Sequence, residues 1–196
     1  MRSVRLGILG SGKGTNCRAI LESIKSGALA AEARVVISDV FDAPILDIAR
    51  EFSIPNAYLP PGGFRKRLEP QAEAEVVRML RDADVELVAL AGFMRVVKSA
   101  MLDAFPRRIV NIHPSLLPKF PGLEAWKQAL VAGERVTGCT VHYVDEKIDH
   151  GDVIAQREVP ILPNDTAEGL HARIQTAEHE LYPTAIGQVC RQLFIP

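Results

Sequence analysis

The stretch LGILGSGKGTN (residues 6–16) sets four glycines between a short apolar run and a segment of helical spacing. An apolar run that ends in glycines reads as a buried strand, here over 4–9. Beyond the glycines, Ile20, Leu21 and Ile24 share one face of a helix predicted over 15–26. Strand, tight turn and helix form the opening unit of an alternating α/β sheet. What the turn binds is decided by the rest of the chain.

The alternation continues. Strands are predicted over 33–37, 56–59 and 87–91, with helices over 43–52, where Ile45, Ile48 and Ala49 share a face, and near 69–83. The loop PPGGFRKR precedes the second of these helices. A strand over 109–112 then leads into the loop HPSLLPKFPG and a helix near 124–132. Two more strands are expected near 138–144 and 153–159, and a last helix from about 166 to about 180 or beyond. Strands separated by helices pair in parallel, so the fold class is α/β, a Rossmann-like doubly wound, mostly parallel sheet. No internal repeat, low-complexity run or dividing linker interrupts it, and a single domain over 1–196 is expected.

Composition narrows the partners. Of 196 residues, 47% are hydrophobic and 24% charged, the balance of a soluble globular chain. A net charge of −1 gives no basic field for nucleic acid. No apolar run reaches the roughly 20 residues that span a bilayer, and the start MRSVRLGILGSG lacks a signal-peptide cleavage pattern. Cys17, Cys139 and Cys190 are scattered with no CxxC pair, which argues against a disulfide framework or zinc and suits a reducing cytoplasm. No metal site is expected.

The glycine turn fits neither familiar nucleotide pattern. As GxxxxGK[ST], Gly7, Gly12 and Lys13 fall in place, but Gly14 stands where the magnesium-binding hydroxyl belongs, and Gly7 lies inside the strand. As GxGxxG, Gly10 and Gly12 are followed by Thr15 in place of the last glycine, although Asp39 lies at a ribose-binding distance along the chain. What remains is an anion site at a helix N-terminus, with Thr15 and Asn16 as added donors and Lys13 as added charge.

The chemistry points to NIHPSLLPKFPG (residues 111–122). A strand delivers Asn111 and His113 to one face at the carboxyl end of the sheet, where open α/β folds place ligands. Pro114, Pro118 and Pro121 stiffen the loop that follows. The segment DEKIDHGD (145–152) offers carboxylates to orient a histidine. An amide donor, a histidine and a carboxylate suit acyl transfer: the amide steadies an oxyanion, the histidine moves a proton, the carboxylate raises the histidine pKa. No activated serine or cysteine stands out, which favours direct transfer.

Along almost its whole length the chain resembles the folate-dependent glycinamide ribonucleotide (phosphoribosylglycinamide) formyltransferases. The resemblance rests on GILGSGKGTN, LAGFMRV, NIHPSLLPKFPG, TGCTVHYVDEKIDHGDVIAQ and ARIQTAEHELYP. SLLP-type loops are shared by other users of 10-formyltetrahydrofolate; the glycine turn and QTAEH narrow the match. The added domains of methionyl-tRNA formyltransferases and formyltetrahydrofolate hydrolases are not expected here.

The resemblance implies roles for particular residues. Asn111, His113 and Asp149 match the catalytic set, with Asp145 and Asp152 as flanking acids outside it. The substrate amine would attack the formyl carbon of 10-formyltetrahydrofolate directly. Asn111 and protonated His113 would stabilise the oxyanion, His113 would protonate the departing N10, and Asp149 would keep His113 charged. Gly14, Thr15 and Asn16 match the phosphate loop, and Gln175 and Glu178 match contacts to ribose and glycinamide. An uncharged residue is more usual at Lys13, which either meets the phosphate or points to solvent. The folate would meet Met94, Arg95, Val96 and Val97, through backbone groups at the pterin edge and apolar side chains over its faces, with Asn111 at its formyl end. Residues 145–149 would close over the pterin. Arg67, or else Arg65, matches the basic residue near the folate tail. His142, alternating with Thr140, is expected to be structural; His150, His171 and His179 have no evident partner, and Trp126 is expected to pack. The implied setting is the cytoplasm, as a monomer or homodimer acting on small molecules. Two other readings are a hydrolase that releases formate from the same folate, and a non-catalytic folate- or nucleotide-binding protein.

Overall fold

The computed structural model describes residues 3–193. Strands β1 (Val4–Leu9), β2 (Ala31–Ser38), β3 (Asn56–Tyr58), β4 (Leu87–Leu90), β5 (Ile109–His113), β6 (Val136–Tyr143) and β7 (Val153–Pro160) form one sheet in the order β3-β2-β1-β4-β5-β6-β7. The pairings from β3 through to β5 are parallel; β6 and β7 add antiparallel to that edge. The expected doubly wound, mostly parallel sheet is therefore present. Helices α1 (Thr15–Lys25), α2 (Pro44–Glu51), α3 (Pro70–Asp82), α4 (Ser99–Ala104), α5 (Ala125–Val131) and α6 (Ala167–Gln192) cover it.

Side-chain alternation along the strands sends the core to both faces. Val4, Leu6 and Ile8 of β1 pack on one face with Cys17 and Ile20 of α1, Ile45 of α2 and Ile174 and Ile186 of α6. Leu9 packs on the other face with Val35 and Ile37 of β2, Val76 and Leu80 of α3 and Met101 of α4. Gly7 is part of this second layer: a Cβ there would lie 2.6 Å from Leu80 Cδ2, so its role is to admit α3.

One element departs from the sequence reading, and one runs well past the extent that its period defined. Helix α4 is not predicted, because six residues span under two turns and show no usable period. Helix α6 runs to Gln192 straight through the buried Pro183, beyond the length that the period defined. Midway along it, the fully buried Tyr182 hydroxyl lies 3.0 Å from the carbonyl oxygens of Leu90 and Val110. That contact anchors α6 to the last residue of β4 and the middle of β5, satisfying polar groups at the heart of the sheet.

The direction of winding reverses at β1: the chain runs from β1 out to β2 and β3 on one side, then returns from β3 through α3 to place β4 on the other side of β1. The turns after β1 and β4 meet over the carboxyl ends of the strands at this switch point, where open α/β sheets place ligands. Gly14 shapes the first turn. Its φ is +73°, and a Cβ would sit 2.8 Å from the Ile45 Cα. Gly12 has open space around it. Gly14→Ala is expected to cost about 1–3 kcal/mol in urea unfolding, from left-handed strain and the clash with α2, and Gly12→Ala well under half of that.

Candidate active site

The glycine turn closes with helix α1 uncapped. Gly14 occupies the N-cap without a side-chain hydrogen bond, and no acid lies in the first turn. Arg18 N–H is bonded to Gly14 O at 2.9 Å, while the N–H groups ahead of it have no intrahelical partner. An anion is what such an end accepts. Thr15 is half-buried at this end, and Lys13 is exposed beside it. The Lys13 charge reaches α6, where it adds to the larger effect of burial in lowering the His171 pKa. Asn16 is buried, and its amide donates to Glu178 Oε2 at 2.9 Å while its own carbonyl oxygen finds no partner. Burial pushes the Glu178 carboxyl up to about 7, against the opposing bond from Asn16. Gln175, one turn earlier on α6, is half-buried.

The second cluster is assembled by the β5–β6 ladder. Its antiparallel register sets Asn111 opposite His142 and His113 opposite Thr140. Asn111 Nδ2 lies 3.2 Å from His142 Nε2, and His142 Nδ1 lies 2.8 Å from the Tyr143 carbonyl oxygen. This pattern assigns the His142 proton to Nδ1. One Asn111 amide hydrogen then goes to His142 and leaves the second for a ligand oxygen. His113 Nε2 donates to the Phe120 carbonyl at 2.9 Å, and its Nδ1 stands 3.3 Å from Asp149 Oδ2. Asp149 sits between the rings, with Oδ1 at 3.6 Å from His142 Nε2. Its backbone is left-handed, at φ 51°, and Gly122 N–H donates to Oδ2 at 2.8 Å.

The loop behind His113 is stitched down by side chains. Ser115 Oγ donates to Lys119 O at 2.6 Å, and Thr140 Oγ1 donates to Ser115 O at 2.7 Å. Leu117 N–H reaches Thr140 Oγ1 at 3.0 Å, and Gln156 Nε2 donates to Leu117 O at 2.9 Å. The Leu117–Pro118 peptide is cis.

Burial dominates the proton equilibria. It lowers the His113 pKa below the ordinary histidine value, although Asp149 and the Phe120 carbonyl pull the other way. Burial pushes the Asp149 carboxyl up, but His142, His113 and the Gly122 N–H together bring it below the usual carboxylate value. Asp149 itself pulls the His113 pKa up, and burial outweighs it. In the free protein the favoured pair near neutrality is ionised Asp149 beside neutral His113. The neutral ring carries its proton on Nε2, so a second proton enters at Nδ1, facing Asp149.

The remaining sequence-predicted residues are distributed more unevenly. Arg95 does not offer its guanidinium to the crevice mouth. Nε is bound to Asp39 Oδ2 at 2.6 Å, and Nη1 donates to the carbonyls of Phe64 at 2.8 Å and Arg65 at 2.6 Å. Asp39 is thereby committed to this pair and is no ribose ligand. Val97 is 5% exposed and packs in the core, so its side chain cannot cover a ligand face. The N–H groups of Met94, Val96 and Lys98 are already bonded, to Ser11 Oγ, Lys66 O and Glu73 Oε1. A ligand edge is left with the neighbouring amides and carbonyls, and with the exposed Met94 side chain. Arg65 and Arg67 both line a groove with Phe64, Val96, Lys98 and Ile148, and Arg67 stacks over the Phe64 ring at 4.4 Å. The other cavity, lined by Lys13, Thr15, Arg18, Glu51 and His179, follows α1 and α2 and contains no member of the Asn111–His113–Asp149 cluster.

Several histidines correct the sequence reading. His142, expected to be structural, touches both Asn111 and Asp149. His150 meets Asp145 at 3.2 Å, and His171 stacks on Trp126 with ring centroids 3.7 Å apart. The register of a strand pair would have paired His142 with Asn111, but register is not readable from one strand alone. Cys17, Cys139 and Cys190 are buried, with burial pushing their thiols up to about 12, about 12 and about 11. None is a nucleophile. Among the described residues no helix is long and apolar enough to cross a membrane, and no cluster is suited to a metal ion.

Comparison with known proteins shows the family to which the chain belongs. Residues 4–186 match the family model described as formyl transferase. A phosphoribosylglycinamide formyltransferase from Bacillus subtilis (strain 168) is 40% identical over 185 residues, covering 94% of each chain. The trifunctional purine biosynthetic protein adenosine-3 of Drosophila pseudoobscura pseudoobscura is 44% identical over 93% of this chain, which spans only 13% of that longer relative. The crystal structure of glycinamide ribonucleotide transformylase 1 from Symbiobacterium toebii superposes with a TM-score of 0.93 at 44% identity, covering 99% of this chain and 91% of that one.

Two measurements check the electrostatics. Asp149→Asn removes the carboxylate that supports the His113 proton, so the His113 titration followed by NMR is expected to move further down. For Glu178, the folded pKa of about 7 stands above its unfolded 4.5, so the fold holds a proton that the unfolded chain releases. Stability is then whole below about pH 4.5 and falls by about 3 kcal/mol as pH rises through 7. Denaturant unfolding at pH 4.5 and pH 8 is expected to show this loss in the native protein and not in Glu178→Gln.

Proposed function

Since the chain belongs to the formyl transferase family, we propose that it transfers the formyl group of 10-formyltetrahydrofolate to the amine of 5-phosphoribosylglycinamide. The products are formylglycinamide ribonucleotide and tetrahydrofolate, a step of de novo purine (IMP) synthesis. One observation supports the reading: an uncapped helix end suited to a phosphate follows β1, and an amide–histidine–carboxylate cluster ends β5, at the same edge of the parallel sheet. A hydrolase would need the second feature alone. The whole chain, 1–196, acts as one formyltransferase domain, with the phosphate-binding half at about 1–100 and the catalytic and folate half at about 101–196.

In this reading the backbone N–H groups of Gly14, Thr15 and Asn16 receive the 5-phosphate, and Gln175 and Glu178 meet the ribose and glycinamide. Met94, Arg95, Val96 and Val97 present backbone groups to the pterin, and Arg67 or Arg65 meets the folate tail. The amine nitrogen forms a bond to the formyl carbon, and the carbonyl electron pair moves onto oxygen. The free hydrogen of Asn111 Nδ2 faces that oxyanion. The proton lost by the amine passes through His113 to N10 as the carbon–N10 bond breaks. Ionised Asp149 balances the imidazolium while it lasts. No metal enters the scheme. The enzyme works in the cytoplasm as a monomer or homodimer on small molecules.

The test is formyl transfer followed by absorbance, with and without the ribonucleotide, for the native protein and His113→Ala. Turnover is expected only with the ribonucleotide, and the variant is expected to lose at least about a hundredfold in kcat. Equal loss of the formyl donor without ribonucleotide would establish a hydrolase instead, and saturable binding with no turnover a binding protein.

A further inference from the structure

One nearly buried charge in the crevice takes no part in the chemistry above. The Asp39 side chain, just beyond β2, is 2% exposed, a place where a carboxylate is costly unless it is fully paired. It is paired twice. Oδ2 receives Arg95 Nε at 2.6 Å, and Oδ1 receives the Ser11 hydroxyl at 2.5 Å. Each partner reaches onward to a different segment. Ser11 Oγ accepts Met94 N–H at 2.8 Å, and Ser11 N–H donates to Gly92 O at 3.0 Å. Arg95 holds the carbonyls of Phe64 and Arg65. Besides this network, residues 64–67 are joined to the 94–97 segment by the bridge of Arg67 with Val96 and the bond from Val96 N–H to Lys66 O.

We propose that Asp39 is a positioning residue for both substrates, fixing the glycine turn, the 94–97 segment and the 64–67 loop as one wall with a set spacing. The inference rests on the formyl-transfer reading, which assigns the ribonucleotide phosphate to the turn and the folate to the other two segments. Asp39 touches neither substrate. It acts through Ser11 on one side and Arg95 on the other. Productive transfer requires the amine and the formyl carbon at near-attack distance, so an error in the spacing of the two half-sites is felt by both.

The signature is a crossed effect. Ser11→Ala, on the phosphate side, is expected to raise the KM of the folate donor. Arg95→Lys, which keeps the charge but loses the forked reach, is expected to raise the KM of the ribonucleotide. Asp39→Asn is expected to raise both by about tenfold, the scale of a lost charged hydrogen-bond partner. Variants that each affect only the substrate on their own side, or an Asp39→Asn enzyme with both KM values unchanged, would overturn the proposal. Should Asp39→Asn fail to fold by circular dichroism, the Ser11 and Arg95 variants alone decide between crossed and one-sided effects. Should the native protein show no formyl transfer, the functional reading fails instead, and the crossed effect is read by calorimetry as dissociation constants for tetrahydrofolate and glycinamide ribonucleotide.

Discussion

A strand crossover in a parallel sheet turns one way only, and the site exists because of that constraint. The chain winds from β1 to β2 and β3 on one side and returns from β3 to β4 on the other, so the winding reverses beside the carboxyl ends of β1 and β4. That strip is where the backbone can present amides and carbonyls to a ligand without breaking the sheet. The residues proposed to bind and react are arranged along it. The glycine turn leaves β1, the 94–97 segment follows β4, and Asn111 and His113 end β5. The antiparallel pair β6–β7 then extends the edge, and the turn joining these two strands carries Asp149 back over the crevice. Tyr182, bonded to carbonyls of β4 and β5, fixes the long helix that carries Gln175 and Glu178 to the same strip.

Within the strip, two carboxyl groups are handled in opposite ways. Glu178 is buried with one amide bond for company, and desolvation wins. Asp149 is also desolvated, yet it has two imidazoles and a backbone N–H, and these win. The difference is that Asp149 has the Gly122 N–H and two histidine rings at its oxygens, where Glu178 has a single amide. A positive φ at Asp149 is the local cost of that placement, and the turn from Asp145 to Asp152 absorbs it. Neutral His113 beside ionised Asp149 is a resting arrangement with room for one proton, which is what a group that passes a proton onward requires.

The sequence is most informative where a physical period or a special residue is at work. Apolar runs and glycine punctuation locate six of the elements around the crevice, and the two-residue spacing of Asn111 and His113 already aligns them on one face. The resemblance supplies Asp149 from among three aspartates, a choice that spacing alone leaves open. What lies outside such reasoning depends on contacts between distant segments. The partnership of His142 with Asn111 follows from ladder register, and the withdrawal of Arg95 and Asp39 into a mutual pair follows from how two loops meet. Helix α4 is too short for a period, and Val97 faces inward because of a turn no local rule predicts. Single-residue chemistry is thus legible before the fold is known, and pairwise chemistry is legible only after it.

The three cysteines lie on α1, β6 and α6, which are three different parts of one core. Each thiol is held far from its reactive anion by burial, so in the closed molecule all three are silent toward alkylating reagents and peroxide. The silence is conditional on the surrounding helices staying in place. Each sulfur is therefore a native clock for the opening of its own region: the order in which Cys17, Cys139 and Cys190 become labelled reads out which part of the core breathes first, without any probe being introduced.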